Sequence, residues 1–296
     1  MQMRRPETRN CETLYIRRLE PEDLDFALAL TNAEGWSYTR GELERMLRMD
    51  PEGSFVCEDQ KPLGFITCVT YGHTGVVGHL VVSKEVRGKR IGHSLLKNAV
   101  DYMTNRGADS MLLFATDDGV GLYSQYGFVK RREVSCMLVA VGGDRKARTP
   151  TSCSLVARRD FPEIIEMDSQ IFGDDRTQLI EILHDEFPKN AFKIQRDGRI
   201  LGFSFGRATP SGFDLGPWVC SSGFQRDAED LFKATVLSMG DGTVFLGVFP
   251  ENPMAVDIAN SMRRVRYWRT HLMTRGEDRY SAHIDKLFGV AAFELG

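Results

Sequence analysis

The run Val82-Ser83-Lys84-Glu85-Val86-Arg87-Gly88-Lys89-Arg90-Ile91-Gly92 joins an apolar, strand-like segment to a strongly amphipathic one. A helix that opens at Ile91 has first-turn amides without internal partners, and its dipole makes that spot electropositive. Arg87, Lys89 and Arg90 add mobile positive charge. Such a turn suits a pyrophosphate, bound mainly through backbone N–H groups. Taken alone, the segment reads equally well as a basic turn before a helix. A second candidate for chemistry is Tyr123 in Leu122-Tyr123-Ser124-Gln125-Tyr126-Gly127-Phe128, a phenol able to give a proton to a leaving group.

The elements that must position these residues can be read from pattern. A strand is expected around Leu14–Leu19, a helix from Pro21 through Leu30, and a second helix from Arg40 to Met49, stopped by Asp50-Pro51-Glu52-Gly53. Ser54–Cys57 and Leu63–Cys68 flank a polar turn, which is a hairpin pattern. A strand from Gly75 to Val82 leads into the loop. Ile91, Leu95, Leu96, Ala99, Val100 and Met103 then recur at helical spacing. Met111–Ala115 reads as a buried strand, Gly119–Tyr126 as a short helix, and the segment through Val139 as a further strand. Gly142 to Pro150 is a linker by composition. After it, Leu155-Val156 before Arg158-Arg159-Asp160-Phe161-Pro162 echoes Leu14–Ile16 before Arg17–Pro21, which supports a duplicated domain.

The loop and the Leu122–Phe128 element together resemble the GNAT acyltransferase superfamily, whose consensus places a valine-ended strand before [Arg/Gln]-x-x-Gly-x-[Gly/Ala]. Arg87 and Gly92 match the outer positions, while Arg90 stands where the inner glycine usually lies; a negative φ at the helix start is expected to accommodate it. The resemblance covers residues 12–140. It implies acetyl-CoA as co-substrate, held by Leu80, Val81 and Val82 along the strand and by Arg87, Gly88, Lys89, Arg90, Ile91 and Gly92 in the loop. It also implies direct attack of an amine on the thioester in a ternary complex, with Tyr123 protonating the departing thiolate. Trp36, Tyr71 and Trp218 are assigned to the acceptor side.

The general base is less plain. The strand positions that usually carry it fall on Thr74, Val76 and Gly78, none of which is basic. His79 has the opposite parity and serves only if a bulge shifts the register; a group from the second half is the other route. Residues 152–296 resemble the YitH/HolE-type GNAT domain in Met167–Arg176, Leu215–Val219, Pro250–Pro253 and Phe288–Gly296. They lack the phosphate loop, so this half is expected to be a degenerate domain that walls the site, with Phe172, Arg176, Asp214 and Trp218 as pocket-wall candidates. The fold expected is α/β (α+β): tandem GNAT domains, each a mixed twisted sheet with helices on both faces. A flexible stretch (1–11) precedes the first domain and a linker (141–151) joins the two.

Composition bounds the rest. The chain has 296 residues, 42% hydrophobic and 27% charged, with a formal net charge of −3. This is the balance of a globular protein and argues against nucleic acid as partner, the Arg263–Arg269 run reading as a solvated face. The six cysteines form no CxxC pair, so no metal site is expected and the thiols suit the cytoplasm, the nucleus being a second option. Neither a signal peptide nor a membrane span is expected. The function expected is an N-acetyltransferase acting on an amine of a small molecule or peptide. The rival is an acyl-CoA-binding sensor that has lost turnover. The acceptor and the oligomeric state are not encoded in any motif.

Overall fold

A computed structural model describes residues 14–36, 38–143 and 148–296. In chain order the elements are β1 (Tyr15–Arg18), α1 (Leu24–Ala33), α2 (Arg40–Met49), β2 (Ser54–Asp59), β3 (Lys61–Tyr71), β4 (Thr74–Val82), α3 (Ile91–Asn105), β5 (Ser110–Ala115), α4 (Asp117–Ser124) and β6 (Val129–Val141). The second half follows with β7 (Cys153–Leu155), α5 (Phe161–Phe172), α6 (Thr177–Glu186), β8 (Ala191–Arg196), β9 (Arg199–Thr209), β10 (Gly212–Cys220), α7 (Gln225–Met239), β11 (Gly242–Val248), α8 (Pro253–Asn260), β12 (Arg263–Gly276) and β13 (Leu287–Gly289).

Local chemistry explains the elements nearest the site. Thr39 caps α2: its hydroxyl accepts from the Glu42 amide, and the Glu42 carboxylate reaches back to the Thr39 amide. In α3, Ile91, Leu95, Leu96, Ala99, Val100 and Met103 form the buried stripe that the spacing requires. Gly107, at φ +94°, then turns the chain toward β5.

All strands join one continuous sheet in the order β1-β2-β3-β4-β5-β12-β6-β11-β10-β9-β8-β7, with β13 paired to β10. The two halves exchange strands at the centre. β12 lies antiparallel between β5 and β6, and β6 in turn pairs antiparallel with β11. Helices α1, α2, α5 and α6 cover one face, and α3, α4, α7 and α8 the other. The core of the first face contains Tyr71, Val76 and Leu112 from the first half beside Ile164, Phe172 and Phe203 from the second, so it belongs to both. Residues 290–296 also lie on that face, with Leu295 buried there and the Tyr71 hydroxyl bonded to the Leu295 carbonyl. Asp174 adds a further lock, accepting from the amides of His73 and Thr74 at 2.8 Å each.

Candidate active site

The site is built where β4 and β5 part. Their parallel pairing runs from Thr74 with Ser110 to Val77 with Leu113 and goes no further. At that point β4 carries a bulge: Cys68 of β3 faces Val77 and Ile66 faces Leu80, so Gly78 and His79 together oppose Thr67. The extra residue bends the strand and opens a wedge between β4 and β5. It also reverses parity, which places His79 on the α1–α2 face with Val76 and Val81. This is the register shift on which a role for His79 depended.

His79 is only 3% exposed. Its Nδ1 lies 3.0 Å from the Thr67 hydroxyl, which also accepts from the His79 amide, and Nε2 has no hydrogen-bond partner among the described residues. Tyr38 stands edge-on to the imidazole at 4.4 Å, and Trp36 lies at 6.4 Å. Burial lowers the affinity of the ring for a proton, opposed by the negative charge of Glu294. The Tyr38 hydroxyl donates to Glu294 Oε2 at 3.0 Å. Burial and the surrounding carboxylates keep that phenol protonated far above neutrality.

On the far side of the bulge, residues 83–90 deliver the chain to α3. Gly88 has φ +84° and Arg90 φ +63°. The expected negative φ at Arg90 is therefore wrong: the arginine holds a left-handed backbone, the conformation that glycine adopts most readily. That geometry aims the first amides of α3 outward while the helix starts at Ile91. A Cβ at Gly88 would meet nothing within 4 Å, and one at Gly92 only Leu122 and Val82 at 3.7 Å and 3.8 Å, so the surface above the first turn is open. Arg87 bonds Val82 O and Glu34, and Lys84 bonds Ala33 O.

Tyr123 lies on α4, packed against Phe128 in the core beneath α3, and burial raises its hydroxyl to about 12. That hydroxyl has no hydrogen-bond partner among the described residues. Tyr126 is engaged elsewhere, donating to His93 O at 2.8 Å. Leu80 and Val82 face α3, whereas Val81 packs under α1 and α2.

The acceptor-side candidates separate. Trp36 lies beside His79. Tyr71 is buried against Phe172, in the core shared by the two halves. Trp218 is wholly buried in the core beneath α7, between Phe232 and Phe288, and does not join Trp36. Phe172 and Arg176 likewise form core rather than pocket wall: Arg176 is clamped to Asp168 at 2.7 Å and 2.9 Å. Asp214 alone of that group reaches the site, close enough for its charge to act on Tyr38 and Glu42. Tyr38, Glu42 and Glu294 carried no motif. Glu294 lies 256 residues from Tyr38 in the chain, and only the fold joins them.

In the second half, β10 passes to α7 through Ser221-Ser222-Gly223-Phe224, a connection half as long and without a cation. Among the described residues, no three or more His, Cys, Asp or Glu side chains are placed to hold a metal ion, and no helix is long and apolar enough to cross a membrane.

A bulged strand diverging from its parallel neighbour, a basic loop at a helix N-terminus and a part-buried phenol on the following helix define an acyl-transfer fold. Residues 18–128 match the model of the acetyltransferase (GNAT) family, and residues 164–289 that of an acetyltransferase (GNAT) domain. The chain belongs to the GNAT acyltransferases and carries two such domains. It is 24% identical to the holothin acyltransferase of a Pseudoalteromonas species over 89% of this chain and 88% of that one. It is also 24% identical to YitH, an uncharacterized N-acetyltransferase of Bacillus subtilis, over 69% of this chain and 72% of the other. Among solved structures, a putative acetyltransferase from Pyrococcus horikoshii superposes over the whole of both chains with TM-score 0.80 at 19% identity. A tandem GNAT protein from the clavulanic acid biosynthesis pathway superposes with TM-score 0.61 at 15% identity, covering 89% of this chain and 98% of that one.

Proposed function

We propose that the chain is an acetyl-CoA-dependent N-acetyltransferase whose single reaction centre lies in the wedge between β4 and β5. The observation that carries this reading is the bulge at Gly78-His79. It aligns the open strand edge, the α3 amides and Tyr123 on one side with His79, Tyr38 and Glu294 on the other. A pyrophosphate suits the α3 amides and the cations of residues 84–90, and a pantetheine arm suits the open edge of β4. An amine entering from the α1–α2 face attacks the thioester carbonyl; the C–N bond forms, the C–S bond breaks, and Tyr123 protonates the thiolate.

The second domain, with no comparable loop, walls this site and binds no CoA of its own in this reading. Five unpaired cysteines among the described residues suit a reducing compartment such as the cytoplasm.

Calorimetry with acetyl-CoA tests the reading. One molecule should bind per chain, and the Arg87→Ala/Lys89→Ala variant should bind at least about tenfold more weakly. Thiol release with a panel of amines then separates an enzyme from a sensor. Saturable binding with no turnover favours the sensor, and absence of binding sinks both.

A further inference from the structure

β12 pairs with β6 from Arg263 to Thr274, but with β5 only from His271 to Gly276. β5 ends at Ala115, opposite His271, and the chain turns away into α4, where Asp117 lies 2.6 Å from His271 Nε2. Residues 263–270 therefore have β6 on one side and no strand on the other among the described residues. In an antiparallel strand every second residue turns its N–H and C=O toward such a free edge. The segment is exposed: Val265 by 54% and Tyr267 by 39%, with Arg263, Arg264, Arg266 and Arg269 exposed around them. A bulge between Arg264 and Arg266 decides where the arginines point. Arg264, Tyr267 and Arg269 oppose Val139, Met137 and Ser135 and share one face of the sheet. Arg263, Arg266 and Trp268 oppose Ala140, Leu138 and Cys136 and share the other. Arg264 and Arg269 accordingly lie 5.4 Å and 5.9 Å from the centre of the Tyr267 ring, and Arg266 lies 5.0 Å from that of Trp268. The rings hold these guanidinium groups in place, which lowers the entropy lost when they pair with an anion. Arg269 also meets Glu133 at 3.3 Å, whereas Arg263, Arg264 and Arg266 form no ion pair among the described residues.

We propose that residues 263–270 form a docking edge for an acidic segment of a partner protein, which adds to the sheet as an extended strand beside β12. Main-chain hydrogen bonds to the open edge supply the affinity. The arginines on its two faces select glutamate and aspartate on either side of the added strand, and Val265 offers apolar contact between the charges. Charge decides which occupant the edge accepts. A second copy of the same edge would set like charges against each other, which is how exposed strands avoid pairing with themselves. A nucleic acid backbone has acceptors but no donors, so it cannot match the alternating N–H and C=O groups of a strand, and the whole chain carries a net charge of −3. The proposal stands apart from the acetyltransferase reading, since none of these residues belongs to the wedge between β4 and β5.

Fluorescence anisotropy on the full chain tests this. The probe is a fluorescein-labelled heptapeptide that alternates glutamate with valine. Two controls carry the same charge: the peptide with proline in place of every valine, which cannot complete a strand ladder, and a single-stranded oligothymidylate. The glutamate–valine peptide should bind saturably, one per chain, and at least about tenfold more tightly than the proline control. Its affinity should fall as salt rises. The Arg264→Glu/Arg266→Glu variant changes exposed side chains alone. It should bind the peptide at least about tenfold more weakly while its denaturation midpoint stays at the wild-type value. Equal binding of the proline control would reduce the edge to a charged surface and overturn the proposal. Tighter binding of the oligothymidylate, no saturable binding of the peptide, or a wild-type dimer that the double variant dissociates would overturn it as well, each giving the edge another occupant or none.

Discussion

The guanidinium of Arg87 is held between the Glu34 carboxylate, 2.6 Å away, and the carbonyl of Val82, at 3.1 Å. The end of α1 is thereby fastened to the basic loop, and Lys84 adds a second tie through Ala33 O at 3.2 Å. A carboxylate beside a phosphate site works against anion binding, and at a half-exposed position its effect is modest and screened by salt. Glu34→Gln should therefore tighten acetyl-CoA binding about two- to fivefold at low ionic strength. The gain should shrink as salt rises, read by calorimetry at two salt concentrations. Weaker binding would mean that Glu34 acts by orienting Arg87.

Arg90 occupies the left-handed region at φ +63°. An L-residue there costs about 1–2 kcal/mol, part of which glycine returns as chain entropy on folding. Arg90→Gly should raise stability by about 0.5–1 kcal/mol, measured by chemical denaturation, whereas Arg90→Ala keeps the strain and should not. Both variants lose the same cation, so their acetyl-CoA affinities should fall alike.

Burial raises the Tyr123 hydroxyl to about 12, so the phenol is protonated throughout the physiological range and suited to giving, not taking, a proton. Tyr123→Phe should cut kcat about 10- to 100-fold with acetyl-CoA affinity unchanged. The loss should be smaller with an acyl donor whose thiol is more acidic, because such a leaving group needs less help. Equal losses with both donors would assign Tyr123 to packing.

What was legible in the chain was local. The hairpin of β2 and β3, the stripe of α3 and the loop between β4 and α3 follow from contacts within about twenty residues, which composition and spacing encode. The bulge was not legible: Gly78-His79 against Thr67 depends on how two strands register, and parity alone put His79 on the wrong face. The insertion of β12 between β5 and β6 joins segments more than 120 residues apart, and no periodicity reports such a pairing. Trp218 looked like a pocket residue because aromatic side chains serve both cores and sites, and only burial separates the two. Glu294 looked like nothing at all. Its meaning arises when residues 287–296 cross to the first domain.

Burial depresses the proton affinity of His79, so the folded chain keeps this ring neutral where an unfolded chain takes up a proton. Stability from this group is intact above its ordinary value near 6.5. It falls as pH drops below that, by at most about 1.4 kcal/mol per pH unit. Glu42 and Asp214 work in the opposite sense nearer the carboxylate range, since their folded forms hold protons more readily. The measurement is therefore a difference: denaturation at pH 8 and at pH 5 for the wild type and for His79→Asn. The variant should lose less stability between the two. Equal losses would mean that His79 is protonated in the folded state.

Two residues beyond Glu294, the chain is tied to a buried clamp in the second domain. Arg176 and Asp168 are 3% and 1% exposed at their side chains and share two hydrogen bonds; the guanidinium lies 4.2 Å from the Phe172 ring and donates to the Gly296 backbone oxygen at 2.6 Å. Removing one partner of a buried pair leaves a desolvated charge, so Arg176→Ala should cost about 3–5 kcal/mol in chemical denaturation. Replacing both, as Asp168→Leu/Arg176→Met, removes that penalty and should restore stability to within about 1 kcal/mol of the wild type. It does not restore the donor to Gly296. If the clamp serves to hold Glu294 under the bulge, turnover in the double variant should stay well below the wild type while stability recovers. Recovery of both together would show that packing alone seats residues 287–296.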